Sequence, residues 1–207
     1  MTRTITSKTK YERTIGESIY GKGNSSVHKR PTKPGQHGKK NVRRKSNFCL
    51  QLRETKKLRL FYGYLTHKYL IKIYKLASKE RGNKIDNLVS YLEGRLSTFV
   101  YRAKWAKTIY QAKQLVSHGW IKVNGKKVDI NSYLLKPNDI IEISDKILGN
   151  PHFQESMKYE HRGLPNFYEY VNDNKTACKF LGIKAATSEL FPTEMRMKLI
   201  IEYLSKF

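Results

Sequence analysis

Residues 108–128 read TIYQAKQLVSHGWIKVNGKKV, and this stretch decides the fold class. Thr108 followed by Gln111 has the spacing of a capping box, in which each side chain satisfies a backbone donor left open by the first helical turn. Gly119 is of the residue type that commonly ends a helix, so we predict a helix between these signals. The predicted buried side of this helix consists of Ile109, Ala112, Leu115 and Val116.

A β-hairpin is predicted directly after the helix. Asn124-Gly125 tolerates the positive φ angles of a type I′ turn, so the residues on either side are expected to pair as two short strands. A second turn at 136–139 leads into a third strand at 140–143. Residues 93–145 are therefore predicted to contain helices followed by a small antiparallel sheet.

Upstream of this stretch the sequence pattern is helical from about residue 51. Apolar residues at steps of three and four predict one helix from Gln51, a second that stops at Gly82-Asn83, and a third over 86–102. The first helix is expected to bury an apolar side that includes Leu52 and to turn its cations toward phosphates. Those cations are Arg53, Lys56, Lys57 and Arg59. On the third helix, Arg95 and Arg102 are expected to share one strip with Tyr91.

The N-terminal region carries most of the positive charge. Residues 1–46 have no sustained apolar period and contain five glycines and two prolines, which is typical of loops. Residues 1–60 contain 17 Lys and Arg against 3 Asp and Glu, a net charge of +14 out of +24 for the whole chain. Most contact with a polyanion is therefore predicted in this third of the chain.

Composition excludes several classes of protein. A net charge of +24 argues against an ordinary neutral enzyme. A content of 39% hydrophobic residues is enough for one or two packed domains. No apolar run of about 18 residues occurs, and the basic third is broken by Gly and Pro, so no membrane partner is predicted. Cys49 and Cys178 have no cysteine neighbours at metal spacing, so neither a metal nor another cofactor is predicted.

The motifs between 92 and 139 resemble the RNA-binding module of the small-subunit ribosomal protein four family. They include Leu92-Glu93-Gly94-Arg95-Leu96 and the segment from Gln111 to Gly119. Other RNA-binding proteins share this module, but the flanking motifs Pro34-Gly35-Gln36-His37-Gly38 and Ile200–Lys206 resemble the ribosomal protein itself. The resemblance covers almost the whole chain and weakens between about 146 and 190.

The resemblance implies an α+β protein with an inserted RNA-binding module. The expected organisation is a basic irregular arm at 1–46, a helical part of the main domain at 47–92, the module at 93–145, and a C-terminal segment at 146–207 that returns to the main domain.

The resemblance also implies partners. They are small-subunit ribosomal RNA, whose 5′ domain the protein would bind early in assembly, messenger RNA at the entrance channel, and proteins three and five of the same subunit. Some family members hold zinc through N-terminal cysteines, but residues 1–48 contain none, so no metal is expected.

Candidate RNA-binding residues come from the basic segment, the helices and the hairpin. For the basic segment, the alternative to RNA contact is a run of charges that only meets solvent. For Arg95 and Arg102, the alternative is pairing with acids such as Glu93. Trp105 and Trp120 are expected in the core rather than on an RNA-binding surface. The remaining candidates beyond the cations named above are Gln36, His37, Lys39, Lys40, Arg43, Arg44, Lys45, Thr108, Lys113, Gln114, Ser117, Lys126 and Lys127.

The rival class is an RNA-modifying enzyme with the same module. Gly94-Arg95-Leu96 resembles the start of a pseudouridine synthase signature, whose next residue is a catalytic Asp. Here that residue is Ser97, and only 62 residues follow position 145, too few for a catalytic domain. We therefore expect no enzyme and no catalytic residue.

The compartment is predicted from resemblance and composition. Abundant Lys, Asn, Ile and Tyr suit an AT-rich genome, and several motifs resemble the alphaproteobacterial branch from which mitochondria descend. The expected location is the mitochondrial matrix, in the small subunit of the mitochondrial ribosome, with a bacterial cytoplasm as the alternative.

Overall fold

The computed structural model describes residues 7–20, 25–38, 46–158, 164–172, 174–182 and 190–207. The chain divides into two compact units. Residues 1–79 and 187–207 form what we call the helical unit, and residues 80–186 form the sheet unit. The described residues combine helices with an antiparallel sheet, which confirms the predicted α+β class.

The helical unit is held together by the packing of its last helix on a helix from the first third of the chain. Side chains such as Leu58, Leu70 and Ile200 are fully buried. Ser46 and Thr66 cap two of the helices by accepting hydrogen bonds from backbone N–H groups in the first turn. The helices are α1 (Lys8–Ile15), α2 (Ser26–Lys29), α3 (Asn47–Phe61), α4 (His67–Ala77) and α9 (Met197–Leu204).

The arm contains more structure than the loop prediction for 1–46 allowed. Helices α1 and α2 are joined by Glu12, which is only 4% exposed. Its carboxylate accepts hydrogen bonds from the hydroxyls of Ser25 and Ser26. The apolar pattern did not predict these helices, because a buried polar contact rather than an apolar period holds them together.

Within the described residues of the sheet unit, four helices precede or flank a five-stranded sheet. The hydrophobic core of this unit joins side chains from the later helices and from the sheet, including Phe99, Val116, Ile141 and Phe180. The elements are α5 (Lys84–Glu93), α6 (Leu96–Arg102), α7 (Ile109–Ser117), β1 (Ile121–Val123), β2 (Lys126–Lys127), β3 (Ile140–Ile143), a 3₁₀ turn (Asp145–Ile147), α8 (Pro151–Met157), β4 (Tyr168–Tyr170) and β5 (Ala177–Phe180).

The strands follow the order β2-β1-β3-β5-β4, and every neighbouring pair is antiparallel. The predicted hairpin is confirmed: Asn124 and Gly125 have φ angles of 50° and 76° between β1 and β2. The strands β4 and β5 extend this sheet, whereas the resemblance implied that 146–207 returns to the main domain. The boundaries of independently folding domains stay a prediction.

The prediction of a single helix over 86–102 is wrong, because the helix is interrupted at Gly94. Gly94 ends α5 by donating its N–H to Ser90, and Arg95 is extended with ψ 137° before α6 begins. The carbonyl of Gly94 accepts a hydrogen bond from Leu135, at 2.8 Å. A tertiary backbone contact therefore interrupts an apolar period that is continuous in the sequence.

The predicted end of the second helix also moves. Helix α4 stops at Ala77, and Asn83 instead caps α5 by accepting a hydrogen bond from Ile85. Asn is favoured at both helix starts and turns, so the sequence signal was real but marked the next helix.

Candidate nucleic-acid interface

Helix α7 presents one polar face to solvent, as predicted. Thr108 accepts a hydrogen bond from the backbone of Gln111, at 3.2 Å, which confirms the helix start. The four predicted apolar residues are buried. Gln114 and Ser117 are exposed and Lys113 is half-buried, so these side chains lie on the accessible side of the helix. Thr108 itself serves as a helix cap.

Arg95 and Lys113 place two positive charges close together where α6 packs on α7. Arg95 is the N-cap residue of α6 and is 5% exposed. Burial, and secondarily the charge of Arg95, lower the pKa of Lys113 to about 8. Like charges are unfavourable together, so an anion bound here would relieve the repulsion.

Arg102 does not lie on an accessible strip. Its guanidinium donates two hydrogen bonds to Glu93, at 2.9 and 2.7 Å, and the Glu93 side chain is fully buried. The break at Gly94 also removes the helical strip that Arg95 and Arg102 were expected to share. The alternative reading, pairing of Arg102 with Glu93, is therefore the observed structure.

The predicted buried side of α3 is confirmed at Leu58 and Phe61, but the predictions for Leu52 and Lys57 are wrong. Leu52 is 43% exposed, whereas Lys57 is 2% exposed. Lys57 forms ion pairs with Glu17 and Glu54, at 2.7 and 3.2 Å. The helix thus turns this lysine toward internal carboxylates, which a helical wheel of one segment cannot show.

The other cations of α3 are half-buried and also have partners inside the helical unit. Arg53 donates to the carbonyl of Ile15 and pairs with Glu17. Lys56 lies 5.7 Å from the ring centre of Tyr11. Arg59 donates to the carbonyl of Leu65, at 2.7 Å, and lies 5.6 Å from the ring of Tyr64. RNA contact by these residues stays a prediction.

The remaining candidates lie on exposed loops and the hairpin. Gln36 and His37 are exposed in the turn after α2, and Lys126 and Lys127 are exposed on β2. These four positions are accessible to a large partner. The candidates Lys39, Lys40, Arg43, Arg44 and Lys45 lie outside the described residues.

One surface feature was not predicted. His118 and Trp120 form a ring contact at the end of α7, with centroids 4.9 Å apart. Trp105 is buried, as predicted, but Trp120 is only partly buried. The signal available in the sequence was an aromatic residue on each side of the helix-ending Gly119.

Neither a metal site nor a membrane-spanning helix is found in the part of the chain that the structure describes. There, no three His, Cys, Asp or Glu side chains are grouped as metal ligands. The helices of the same part are too short or too polar to cross a bilayer.

Comparisons with known proteins cover both units. Residues 94–141 match the family model of the S4 domain, and residues 3–93 match that of the ribosomal protein S4/S9 N-terminal domain. Over 206 residues, the chain is 37% identical to small ribosomal subunit protein uS4 of Rhizobium meliloti and 38% identical to that of Mesorhizobium japonicum. Both alignments cover 100% of each chain. The chain belongs to the uS4 family of small-subunit ribosomal proteins.

Proposed function

We propose that this chain is a structural component of the small ribosomal subunit and binds its ribosomal RNA. The observation that carries the proposal is the full-length match to proteins named small ribosomal subunit protein uS4. The net charge of +24 and the exposed polar face of α7 support it, because phosphate contacts dominate RNA affinity.

Membership of this family supports a structural role rather than the enzyme alternative. The full-length relatives are ribosomal proteins, and both matched family models describe ribosomal or S4 domains. Ser97, in the position of the synthase Asp, is 1% exposed. A buried hydroxyl in this position does not offer the carboxylate that such chemistry requires.

We further propose an early role in assembly. The cationic groups that we assign to RNA come from both units, so the chain could hold two separate RNA elements. The RNA elements that it would hold belong to the 5′ domain of the ribosomal RNA. Depletion of the chain should reduce small subunits while large subunits persist.

The finer partners are proposed from the resemblance. Messenger RNA at the entrance channel would meet the basic segment that contains Lys39 to Lys45, and proteins three and five would adjoin the chain. The charge of residues 1–60 supports contact with RNA in this region. The mitochondrial matrix is the proposed compartment, with a bacterial cytoplasm as the alternative.

Sedimentation tests the proposal directly. A tagged full-length chain should travel with the small subunit in a sucrose gradient at moderate salt and should cross-link to small-subunit ribosomal RNA. The mitochondrial or bacterial origin of that RNA identifies the compartment. A chain that remains at the top of the gradient, with no RNA cross-link, would contradict the function.

A further inference from the structure

An aromatic surface lies where α7 ends and β1 begins. The rings of His118 and Trp120 are 4.9 Å apart and tilted by 37°. His118 is exposed, while Trp120 packs partly against the core. The two rings therefore form one surface that is anchored on one side and accessible on the other.

The backbone around this surface is fixed on both sides. The N–H of Trp120 donates to Leu115 of α7, and its carbonyl accepts from Ser144 after β3, at 3.3 and 2.9 Å. Gly119 has a φ of +70°, a conformation that glycine adopts without strain. Because the backbone is held in place, binding at this surface needs little further ordering.

A cation borders the aromatic surface. The side chain of Lys127 crosses Gly119 so closely that a Cβ there would lie 1.9 Å from its Cε atom. Lys122, the cross-strand partner of Lys127, adds a further positive charge to the hairpin. Gln114 and Ser117 are exposed on the last turns of α7. The surroundings thus offer positive charge and hydrogen-bonding groups beside an aromatic surface.

Core packing does not account for this pair. Phe99 and Trp105 form the corresponding contact inside the sheet unit, and both are fully buried. The indole N–H of Trp105 donates to the carbonyl of Lys175, at 2.8 Å. His118, in contrast, adds an accessible ring to a partly buried one. Exposed aromatic side chains next to lysine are typical of surfaces that stack unpaired bases.

We infer that His118 and Trp120 form a stacking platform for an unpaired base of the ribosomal RNA, with Lys127 contacting the adjacent phosphate. This inference rests on the proposed function. The platform supplies affinity without reading sequence, because every base has an aromatic face.

The first test measures affinity of the full-length chain for a transcript of the small-subunit 5′ domain. Trp120→Ala should weaken binding by roughly 5- to 150-fold, the range of one lost base stack. Trp120→Phe keeps an aromatic ring and should bind within about threefold of the parent. Ile130→Ala removes an exposed apolar side chain of the same unit, 57% exposed, and serves as the matched control.

The second test uses fluorescence, because the chain has only two tryptophans. Trp105 is fully buried, so quenching on addition of the transcript should come from Trp120 and should vanish in Trp120→Phe. His118→Ala should weaken binding without removing the signal. Lys127→Gln should reduce the slope of log K against log salt by about 0.7 to 0.9.

The outcomes separate this inference from the proposed function. A parent chain that binds the transcript, together with folded Trp120→Ala and His118→Ala variants of parental affinity and no quenching, overturns the platform alone. A parent chain that does not bind the transcript overturns the proposed function and the platform with it. If Trp120→Ala fails to fold, the affinity of His118→Ala and the loss of quenching in Trp120→Phe test the platform instead.

Discussion

At the scale of single residues, the partner of a cation decides what that cation can do. Lys57 and Arg102 were candidate phosphate contacts, yet both lie against internal carboxylates. Lys126 and Lys127, in contrast, are exposed on β2. Residue type and local spacing predict that a side chain is charged, but they do not predict a partner that is remote in the sequence. Glu17, for example, lies 36 positions from Arg53 and 40 from Lys57.

The buried pair of Glu93 and Arg102 gives the first prediction. Arg102→Leu should destabilise the protein by about 3–5 kcal/mol, because it leaves a fully buried carboxylate without its bidentate partner. Urea unfolding of the full-length chain measures this loss. Lys107→Ala breaks the solvent-screened pair with Glu155 and should leave the stability nearly unchanged. Equal costs for the two variants would contradict the assignment.

Lys113 gives the second prediction, on pH dependence. Its pKa is lowered from 10.5 to about 8, and a bound phosphate would restore the charged form. RNA affinity should therefore fall by about tenfold between pH 7 and pH 9. Lys113→Arg should bind without this fall, since guanidinium stays protonated. Lys126→Arg is the matched control and should keep the parental profile.

The same lowered pKa has the opposite effect on folding: stability should rise with pH, whereas RNA affinity falls. The unfolded chain holds the Lys113 proton up to its ordinary pKa of 10.5, whereas the folded chain releases it near pH 8. The contribution of Lys113 to the stability of the free protein should therefore rise between pH 8 and 10.5. A pH profile of stability that is unchanged in Lys113→Arg would contradict the burial of this amine.

At the scale of elements, the sequence predicted α7 and the hairpin because their signals are local. A capping residue, an apolar period and Asn124-Gly125 each act within a few positions. The break at Gly94 could not be predicted in this way, because it depends on a hydrogen bond from Leu135. The orientation of α3 likewise depends on Glu17 and on α9, which are remote in sequence.

The basic segment of the arm gives the third prediction. Exchange of Lys39, Lys40, Arg43, Arg44 and Lys45 for Gln should leave subunit assembly near normal, since no apolar period links this segment to a core. Ribosomes with this variant should slow on messengers with a stable hairpin ahead of the entrance, and more so as the hairpin becomes more stable. Subunit profiles and translation rates on matched messengers measure both effects.

Variants of Arg95 and Lys113 are the control for that experiment. They should deplete small subunits and leave little hairpin dependence in those that form. If the Gln variant and the parent depend equally on hairpin stability, the basic segment has no channel role.

At the scale of the whole molecule, each unit is completed by a segment from far along the chain. Helix α9 packs on α3, and β5 pairs with β3. The continuous module predicted at 93–145 thus lacks two strands of the observed sheet and part of its core. The rings of Phe99 and Tyr168, for example, meet edge to face at 4.9 Å.

Fragments give the fourth prediction. Residues 80–186 should fold cooperatively, whereas 93–145 should not, because each missing apolar side chain of the core contributes about 1.5–3 kcal/mol. Thermal unfolding followed by circular dichroism compares the two fragments. Matching unfolding temperatures would show that β4 and β5 are dispensable.

The position of β5 beside β3 also affects how the protein is made. Thirty-three residues separate the end of β3 from the start of β5, so at about 5–20 residues per second a nascent chain waits roughly 2–7 seconds for its missing neighbour. During that interval β3 is an open edge strand, able to pair with another unfinished chain. The speed of synthesis, rather than the chemistry of folding, then sets how long each new copy is exposed to aggregation.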